Sequence, residues 1–333
     1  MGIFIFSSTI IFLLSLFVIK QLLCYDNKGK EINHMQEDLG KKEIVIPQAI
    51  HSTFESYDEL LSLFNCYTKN NFDTIIMNFR KNTWFDSNLL PIIYGYVVYG
   101  EVNHNIRSAY NNQNYCKLHQ VLIRNGFAKY CFNMEYKPKK HETVVPFKVF
   151  LSSDTYGFGS YIDAEIVRYF PKMEDHVKKD LSTFIQELFG NAQIHGECNK
   201  VFTCGQYYYQ NHKMDFTIVN LGTTIGENVK LFLTENNRTL PDNNISWAVQ
   251  PENSTKRTNS GGMGLSLMQE FIYYNSGKYQ IISGDEFWEL NDKSISERKF
   301  KYAFPGTVIN IEIDQNDKSY YKYKEEVSVE NIF

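Results

Sequence analysis

The clearest hydrophobic pattern in the chain lies between residues 177 and 196 and has the period of a helix. Apolar residues recur there at intervals of three and four: Val177, Leu181, Phe184, Ile185 and Leu188. Glu187, Asn191 and His195 lie four residues apart and form one polar stripe on such a helix. Gly196 follows as a predicted left-handed C-cap. The stripe predicts either a functional edge or the polar rim of an amphipathic helix.

Before residue 162, apolar and polar positions predict a mixed order of strands and helices. The predicted strands are residues 43–47 and 74–79. The predicted helices are residues 56–67, 88–100 and 108–124, the last of which ends at the turn residues Asn125 and Gly126. Residues 145–161 contain several Gly and Ser residues, which predicts a linker.

These patterns divide the chain into four parts. After an apolar segment at residues 1–34, we predict a smaller α/β domain at 40–150, a larger domain at 158–315 and a polar tail at 316–333. The predicted fold class is therefore α+β. A length of 333 residues suffices for two ordinary domains.

The first part is apolar enough to cross a bilayer. Residues 2–19 contain no charge, and the apolar character continues to residue 23 past Lys20. Because Lys28 and Lys30 follow it, the bulk of the chain would stay in the cytoplasm, anchored to the inner face of the membrane. The alternative is an over-extended translation start with Met35 as the true first residue. A membrane is a partner only if residues 2–23 are retained.

Composition excludes some classes of protein. The net charge of −4, without a Lys/Arg stripe, gives no reason to expect a nucleic-acid partner. The composition is globular, with 43% hydrophobic and 22% charged residues. Six cysteines without C-x-x-C or metal spacing predict reduced thiols in a cytosolic protein: Cys24, Cys66, Cys116, Cys131, Cys198 and Cys204.

Four sequence blocks carry the candidate chemistry. They are E-x-x-x-N-x-x-x-H at 187–195, IVNLGTTI at 218–225, NSGGMGLSLMQEFI at 259–272 and PGTVINIEI at 305–313. In order and spacing they resemble the N box, G1 box, G2 box and final Gly-Thr strand of the GHKL ATPases, most of all the anti-sigma-factor serine kinases. The resemblance covers residues 158–314 and implies a Bergerat α/β sandwich that binds ATP with Mg²⁺.

By this resemblance, the polar stripe supplies a metal ligand and a catalytic base. Asn191 would bind the Mg²⁺ that bridges the ATP phosphates, which suits an amide oxygen because Mg²⁺ is a hard cation. Glu187 would be the general base for the attacking water or hydroxyl. His195 would contact phosphate or the lid; a helix-end histidine favoured by the macrodipole is the alternative.

The G1 block departs from the D-x-G-x-G of the family. Asn220 stands in place of the adenine-reading Asp, Gly222 matches the first Gly, and Thr224 replaces the second. The Asn oxygen can still accept a hydrogen bond from adenine but loses the charge-assisted bond, so we expect a weaker affinity. Gly222 should allow a close backbone approach that a Cβ would obstruct. Thr307 should hydrogen-bond near the adenine, unless it is a plain strand residue.

The G2 block predicts a phosphate cradle at the start of a helix. Its glycines are Gly261, Gly262 and Gly264. Because Leu265 and an apolar-faced helix follow, backbone N–H groups and the positive end of the helix dipole would face the phosphates. The polar residues 251–260 have the composition of a lid. Lys256 or Arg257 could reach the γ-phosphate, or both are solvated loop charges.

A weaker resemblance concerns the first domain. A predicted strand leads into DSNL at residues 86–89 and then an apolar helix. This order resembles the STAS domains of anti-sigma-factor antagonists, whose turn reads D-S-S-G-L. Asn88 stands where the phosphorylated Ser stands in that family, although the adjacent Ser87 keeps a hydroxyl. The alternative is an α/β partner domain without this relation.

The resemblances predict a Mg-ATP-binding GHKL protein. It would be a slow ATPase or a serine-kinase-like switch that controls a protein partner or its own first domain. One alternative is a catalytically silent nucleotide-sensing module, which the altered G1 block favours and Glu187 disfavours. A second is an atypical sensor histidine kinase, although even His176 lacks a phosphoacceptor setting. A homodimer is left open.

Overall fold

A five-stranded antiparallel sheet, whose strands lie between residues 144 and 314, separates the two layers of the fold. The computed structural model describes residues 40–69, 71–110, 117–134, 143–251, 253, 255 and 264–318, apart from the side chains of 117–119. The described residues belong to one compact unit. The fold is mixed α+β, with parallel as well as antiparallel strand pairs.

The described residues before 135 form small parallel sheets and helices. Their strands are β1 (Lys41–Val45), β2 (Ala49–Ile50), β3 (Thr74–Asn78), β4 (Trp84–Phe85) and β5 (Arg107–Tyr110). Their helices are α1 (Phe54–Phe64), α2 (Leu90–His104), α3 (Lys117–Arg124) and α4 (Phe127–Phe132). Strands β1, β3 and β5 form one parallel sheet in that order, and β2 pairs with β4.

The described residues between 143 and 318 form the central sheet and the helices beside it. The strands are β6 (Val144–Leu151), β7 (Lys200–Tyr208), β8 (Lys213–Leu221), β9 (Lys278–Asn291) and β10 (Ser294–Asp314). The helices are α5 (Thr155–Tyr161), α6 (Asp175–Ile194), α7 (Ile225–Glu235), α8 (Asn244–Ala248) and α9 (Gly264–Asn275). The strand order is β6-β7-β8-β10-β9, and every neighbouring pair is antiparallel.

The central sheet is buried on both faces. Side chains alternate along a strand, so neighbouring residues belong to different cores. On β8, Ile218 lies in the front core with helices α5, α6 and α9. Val219 lies in the back core with the described residues before 135. Ile309 and Val308 of β10 divide in the same way. The sheet is therefore the shared wall of two hydrophobic cores.

Helices α1 and α2 cover the back face. Tyr94 of α2 lies against Phe202 of β7 with ring centroids 5.0 Å apart, and Tyr96 lies 5.3 Å from Phe304 of β10. Most of α2 is apolar and buried without a polar face, as expected of a helix packed between layers. The described residues before 135 are thus packed on the sheet through aromatic side chains.

A cluster of buried polar side chains lies at the centre of this back contact. Asn88 Nδ2 donates hydrogen bonds to Asn310 Oδ1 at 2.8 Å and to Ser52 Oγ at 3.0 Å. Thr217 Oγ1 donates to the same Asn310 oxygen at 2.7 Å, and Asn310 Nδ2 donates to Gln280 Oε1 at 3.0 Å. These bonds connect the turn after β4 to strands β8, β9 and β10.

Two carboxyl groups beside this cluster have opposite pKa shifts. Burial raises the pKa of Asp215 well above its usual value, and the nearby Glu312 raises it further. Burial alone would raise the pKa of Glu312 too, but Lys278 and Lys213 hold it below its usual value. Lys213 Nζ lies 2.6 Å from the Glu312 carboxylate. The back contact therefore favours a neutral Asp215 beside an ionised Glu312.

The predicted linker at residues 145–161 is wrong. Residues 144–151 form β6, which pairs with β7, so the central sheet begins before the predicted boundary at 158. The Gly and Ser residues that suggested a linker belong to α5, whose N-terminus is capped by Asp154 through the N–H of Gly157 at 2.9 Å. Phe158 is buried in the front core.

The helix predicted at 108–124 is only partly correct. Residues 107–110 form β5, because they complete the parallel sheet as an edge strand beside β3. Within the described residues, the helix itself covers 117–124 and ends at Asn125 and Gly126 as expected. The other predicted elements of this half are confirmed as β1, β3, α1 and α2.

Several predictions concern residues outside the described part, namely the apolar segment at 1–34 and most of the tail at 316–333. Among the helices that the structure describes, none has the length and apolar character needed to cross a membrane. The described cysteines are free thiols, as predicted: Cys66, Cys131, Cys198 and Cys204. Burial raises the pKa of Cys198 to about 11, which makes it unreactive.

The buried polar cluster predicts a stability effect at Asn88. Replacing Asn88 by Ala should lower the free energy of unfolding by about 1–3 kcal/mol, because Asn310 and Ser52 lose a buried donor. Urea denaturation measures this change. Asn103→Ala, on the exposed side of α2, should change stability by less than about 0.5 kcal/mol. Equal losses in both variants would contradict the role of the cluster.

The two carboxyl groups predict opposite pH effects. A raised folded-state pKa means that the contribution of Asp215 to stability is present below its unfolded pKa of about 4 and is lost as pH rises. Asp215→Asn should therefore be more stable than the wild type at pH 8, with the gain shrinking towards pH 4. Glu312→Gln should be less stable at pH 8, because a lowered pKa stabilises the fold at high pH. Urea midpoints at several pH values test both signs.

Candidate functional site

Helix α6 brings the predicted polar stripe to the front of the sheet. Its apolar residues, including Leu181, Ile185 and Leu188, are buried in the front core. This packing fixes the rotation of the helix about its axis and with it the direction of the polar stripe. Glu187 and Asn191 lie within the helix, which ends at Ile194. His195 is the C-cap residue and donates its backbone N–H to Asn191 O at 2.9 Å.

A pocket open to solvent lies between α6, α7, α8, the C-terminal end of β8 and an inner part of β10. It has about 700 Å³ of empty space, including space open to solvent. Five of the predicted site residues line it: Asn191, His195, Asn220, Leu265 and Thr307. The structure therefore gathers side chains from all four sequence blocks at one place.

The floor of the pocket is formed by paired residues of β8 and β10. Asn220 lies directly opposite Thr307 in this antiparallel pair. Asn220 is buried, and its Nδ2 has no hydrogen-bond partner among the described residues. The Thr307 hydroxyl lies 2.8 Å from Ser283 Oγ, which also accepts the backbone N–H of Ile225 at 2.8 Å. The free donor of Asn220 is thus the unsatisfied polar group at the floor.

Gly222 allows a close approach of two backbones, as predicted. Its φ of +131° is a conformation that side chains disfavour, and a Cβ there would overlap the carbonyl oxygen of Gly196. The backbone that approaches is the end of the α6 segment, since Thr223 N donates to Gly196 O at 3.0 Å. Gly222 itself lies on the far side of this loop, outside the pocket.

The left-handed cap predicted at Gly196 is wrong. The residue with positive φ after α6 is Glu197, at 49°. Gly196 is required for another reason, because a Cβ there would overlap Asn220 Nδ2 and approach the carbonyl oxygen of Ala192. The glycine therefore leaves space for the pocket floor and does not reverse the chain.

Thr224 caps helix α7 and faces away from the pocket. Its hydroxyl accepts the N–H of Glu227 at 3.1 Å, and the Glu227 carboxylate accepts the Thr224 backbone N–H at 2.7 Å. The two residues form a capping box. Thr224 lines a second cavity on the other side of the loop. Of the two adjacent threonines, only Thr223 lines the first pocket.

Glu187 lies against the first residue of α9. A Cβ built on Gly264 would lie 3.0 Å from Glu187 Oε2 and 2.9 Å from its Cβ, so only glycine fits there without a shift. Oε2 is buried and has no hydrogen-bond partner among the described residues. The remaining predicted residues, Lys256, Arg257, Gly261 and Gly262, lie outside the described part of the chain.

The pocket is also lined by residues that were not predicted from the sequence. They are mainly apolar or amide side chains: Leu188, Asn228, Val229, Trp247, Asn253 and Thr255. Thr255 Oγ1 lies 3.3 Å from His195 Nδ1. The only sequence signal for this wall was an isolated tryptophan in the polar stretch at 236–255.

The described residues offer limited support for a bound metal. Within them, no group of three or more His, Cys, Asp or Glu side chains could hold a metal ion. This is compatible with Mg²⁺, which keeps several waters and takes only one or two protein oxygens beside those of phosphate. Asn191 lines the pocket and could supply such an oxygen.

Two glycines give a matched prediction for stability. Gly222→Ala should lower the free energy of unfolding by about 1–3 kcal/mol, because φ is positive and the Cβ meets Gly196 O. Gly190→Ala, in the middle of α6 with no atom near its Cβ position, should raise it by about 0.5–1 kcal/mol. Thermal and urea unfolding measure both. Tolerance of Ala at 222 would show that the loop contact is dispensable.

Comparisons with known proteins add no family to this description. No protein-family model matches the chain, and no curated protein matches it. What the chain does is therefore inferred from the pocket itself.

Proposed function

We propose that the chain binds Mg-ATP in the pocket in front of the sheet, in the manner of the GHKL ATPases. The observation that carries this proposal is the meeting of Asn191, Asn220 and Thr307 in one cavity, although they come from three separate elements.

The floor suits an adenine ring. Leu188, Val229 and Ile309 provide apolar walls, as aromatic ligands require. The Asn220 amide offers one donor and one acceptor, which match the N1 acceptor and the amino donor of adenine. Its unsatisfied Nδ2 supports this role, because a buried donor without a partner is costly. As a neutral group it would bind less tightly than a carboxylate.

The polar side chains beside this floor suit the phosphates. Asn191 would hold the metal, and His195 with Thr255 would face the phosphate oxygens. Bound Mg²⁺ would neutralise phosphate charge. Glu187 is the candidate base, since a partly buried carboxylate can accept a proton from water or a hydroxyl. Its Oε2 lies beside Gly264 and has no hydrogen-bond partner in the part of the chain that the structure describes.

The chemistry we propose is slow ATP hydrolysis or transfer of phosphate to a separate protein. The Bergerat sandwich would begin at β6, and the STAS-like part would be the layer on its back face. Ser87 and Asn88 are buried against that face, 2% and 0% exposed. Neither can reach a nucleotide on the front, which argues against the chain's own turn as the phosphate acceptor. We therefore propose a separate protein as the regulated partner.

A second candidate is a nucleotide-sensing module without catalysis. It is favoured by Thr224, whose hydroxyl is used to cap α7, so this part of the G1 block has a structural role. Such a protein would bind ATP and still lack turnover.

We expect calorimetry to detect Mg-dependent ATP binding by the wild type and none by Asn191→Ala, because the metal loses its protein oxygen. Glu187→Gln should bind ATP with a similar Kd while phosphate release falls by about 10²-fold or more, since only the base is removed. Gln193→Ala, an exposed residue of α6 outside the pocket, is the matched control and should behave as the wild type.

The outcomes separate the two candidates. Binding with release that depends on Glu187 supports the ATPase or kinase. Binding with no release in any variant supports the sensing module. Absence of binding by the wild type would contradict both.

A further inference from the structure

A second cavity lies behind the loop that closes the first pocket. It encloses about 1410 Å³, including space open to solvent, between the C-terminal half of α2, the N-terminus of α7 and the start of the β9–β10 hairpin. Thr223 lines the first pocket, whereas Gly222 and Thr224 line this one. The two cavities are thus separated by a single turn of backbone.

The lining of the second cavity is acidic. It contains four carboxylates and one lysine: Glu197, Glu227, Asp285, Glu286 and Lys230. Among the described residues, no Lys or Arg side chain forms an ion pair with Glu286, which is only 4% exposed. Buried charges in proteins are normally paired. The cavity therefore has the charge to attract a cation.

Asn244 provides a second, independent sign of a missing ligand. It is 3% exposed, and its Nδ2 and backbone N–H donate to the two oxygens of Glu286 at 2.6 and 3.1 Å. Because a carboxylate accepts hydrogen bonds, the atom of the Asn244 amide that faces Glu286 is the nitrogen, which fixes the orientation of the amide. Asn244 Oδ1 is then left buried without a hydrogen-bond partner among the described residues. Asn244 Oδ1 therefore lacks a donor, and among the described residues the Glu286 carboxylate beside it has no cationic partner.

An organic cation fits these acceptors better than a metal ion. Within the described residues, no cluster of three or more His, Cys, Asp or Glu has metal-binding geometry. A guanidinium group has several N–H donors in a fixed plane and can serve a carboxylate and an amide oxygen at once. The adjacent wall includes Val102, 74% exposed, and Leu221, which could pack against apolar neighbours of an arginine.

We propose that this cavity binds an arginine side chain of a partner protein, presented on a peptide segment with apolar residues beside it. The guanidinium donates to Glu286 and to Asn244 Oδ1, while the remaining carboxylates attract the segment by charge. This site is independent of ATP binding, and the test below uses no nucleotide. Its failure would leave the proposed nucleotide function untouched.

The test is a titration of the isotope-labelled full chain with two tripeptides, followed by TROSY NMR. Acetyl-Leu-Arg-Leu-amide should shift the amide signals of Gly226, Asn244, Gly284 and Asp285. Acetyl-Leu-citrulline-Leu-amide, a neutral isostere, should bind at least about tenfold more weakly, because charge-assisted hydrogen bonds are lost. Glu286→Gln should weaken the arginine peptide by a similar factor.

Two further variants guard against a folding effect. Asp285→Asn changes an exposed rim carboxylate and should weaken binding by about two- to threefold. Asp292→Asn removes the same charge at the tip of the β9–β10 hairpin and should leave binding unchanged. Equal binding of the two peptides, or shifts elsewhere in the chain, would overturn the proposal. So would calcium chloride alone shifting the same signals and displacing the arginine peptide.

Discussion

The structure depends on one sheet that must be covered on both faces. Because side chains alternate along a strand, each pair of neighbouring residues on β8 and β10 serves two layers. Val219 packs on the described residues before 135, and Asn220 next to it forms the floor of the pocket. Val308 and Thr307 repeat this division on β10. The position of the pocket floor is therefore tied to the packing of the back face.

The back contact combines aromatic packing with a polar interior. Rings such as Tyr94 and Phe202 supply apolar burial, which has little directional preference. The hydrogen bond between Asn88 and Asn310 depends on direction. A shift of one residue between the layers would therefore leave buried donors and acceptors unpaired. We infer that the polar cluster selects one register for the two layers.

The sequence was most informative where the signal is local. The period of α6 and the order of the four blocks led to five residues that the structure places in one pocket. Thr224 and Glu227 also have a local signature, T-x-x-E before an apolar run, which is typical of a capping box. The alignment of Thr224 with the second glycine of the G1 box did not predict this role. In contrast, β6 depends on pairing with β7 about fifty residues later, and Trp247 reaches the pocket only through tertiary packing. Neither can be inferred from neighbouring residues.

The place of β6 at the edge of the sheet limits how the protein can be divided. A chain that starts at the sequence-based boundary of residue 158 would lack β6 and leave β7 as an exposed edge strand, paired only with β8. It would also lose α1 and α2, so Phe202 and Phe304 would face water. Exposed edges next to apolar faces promote intermolecular strand pairing. The part of the chain from residue 158 onwards is therefore expected to aggregate when isolated, because the layer behind the sheet shields these apolar side chains from water.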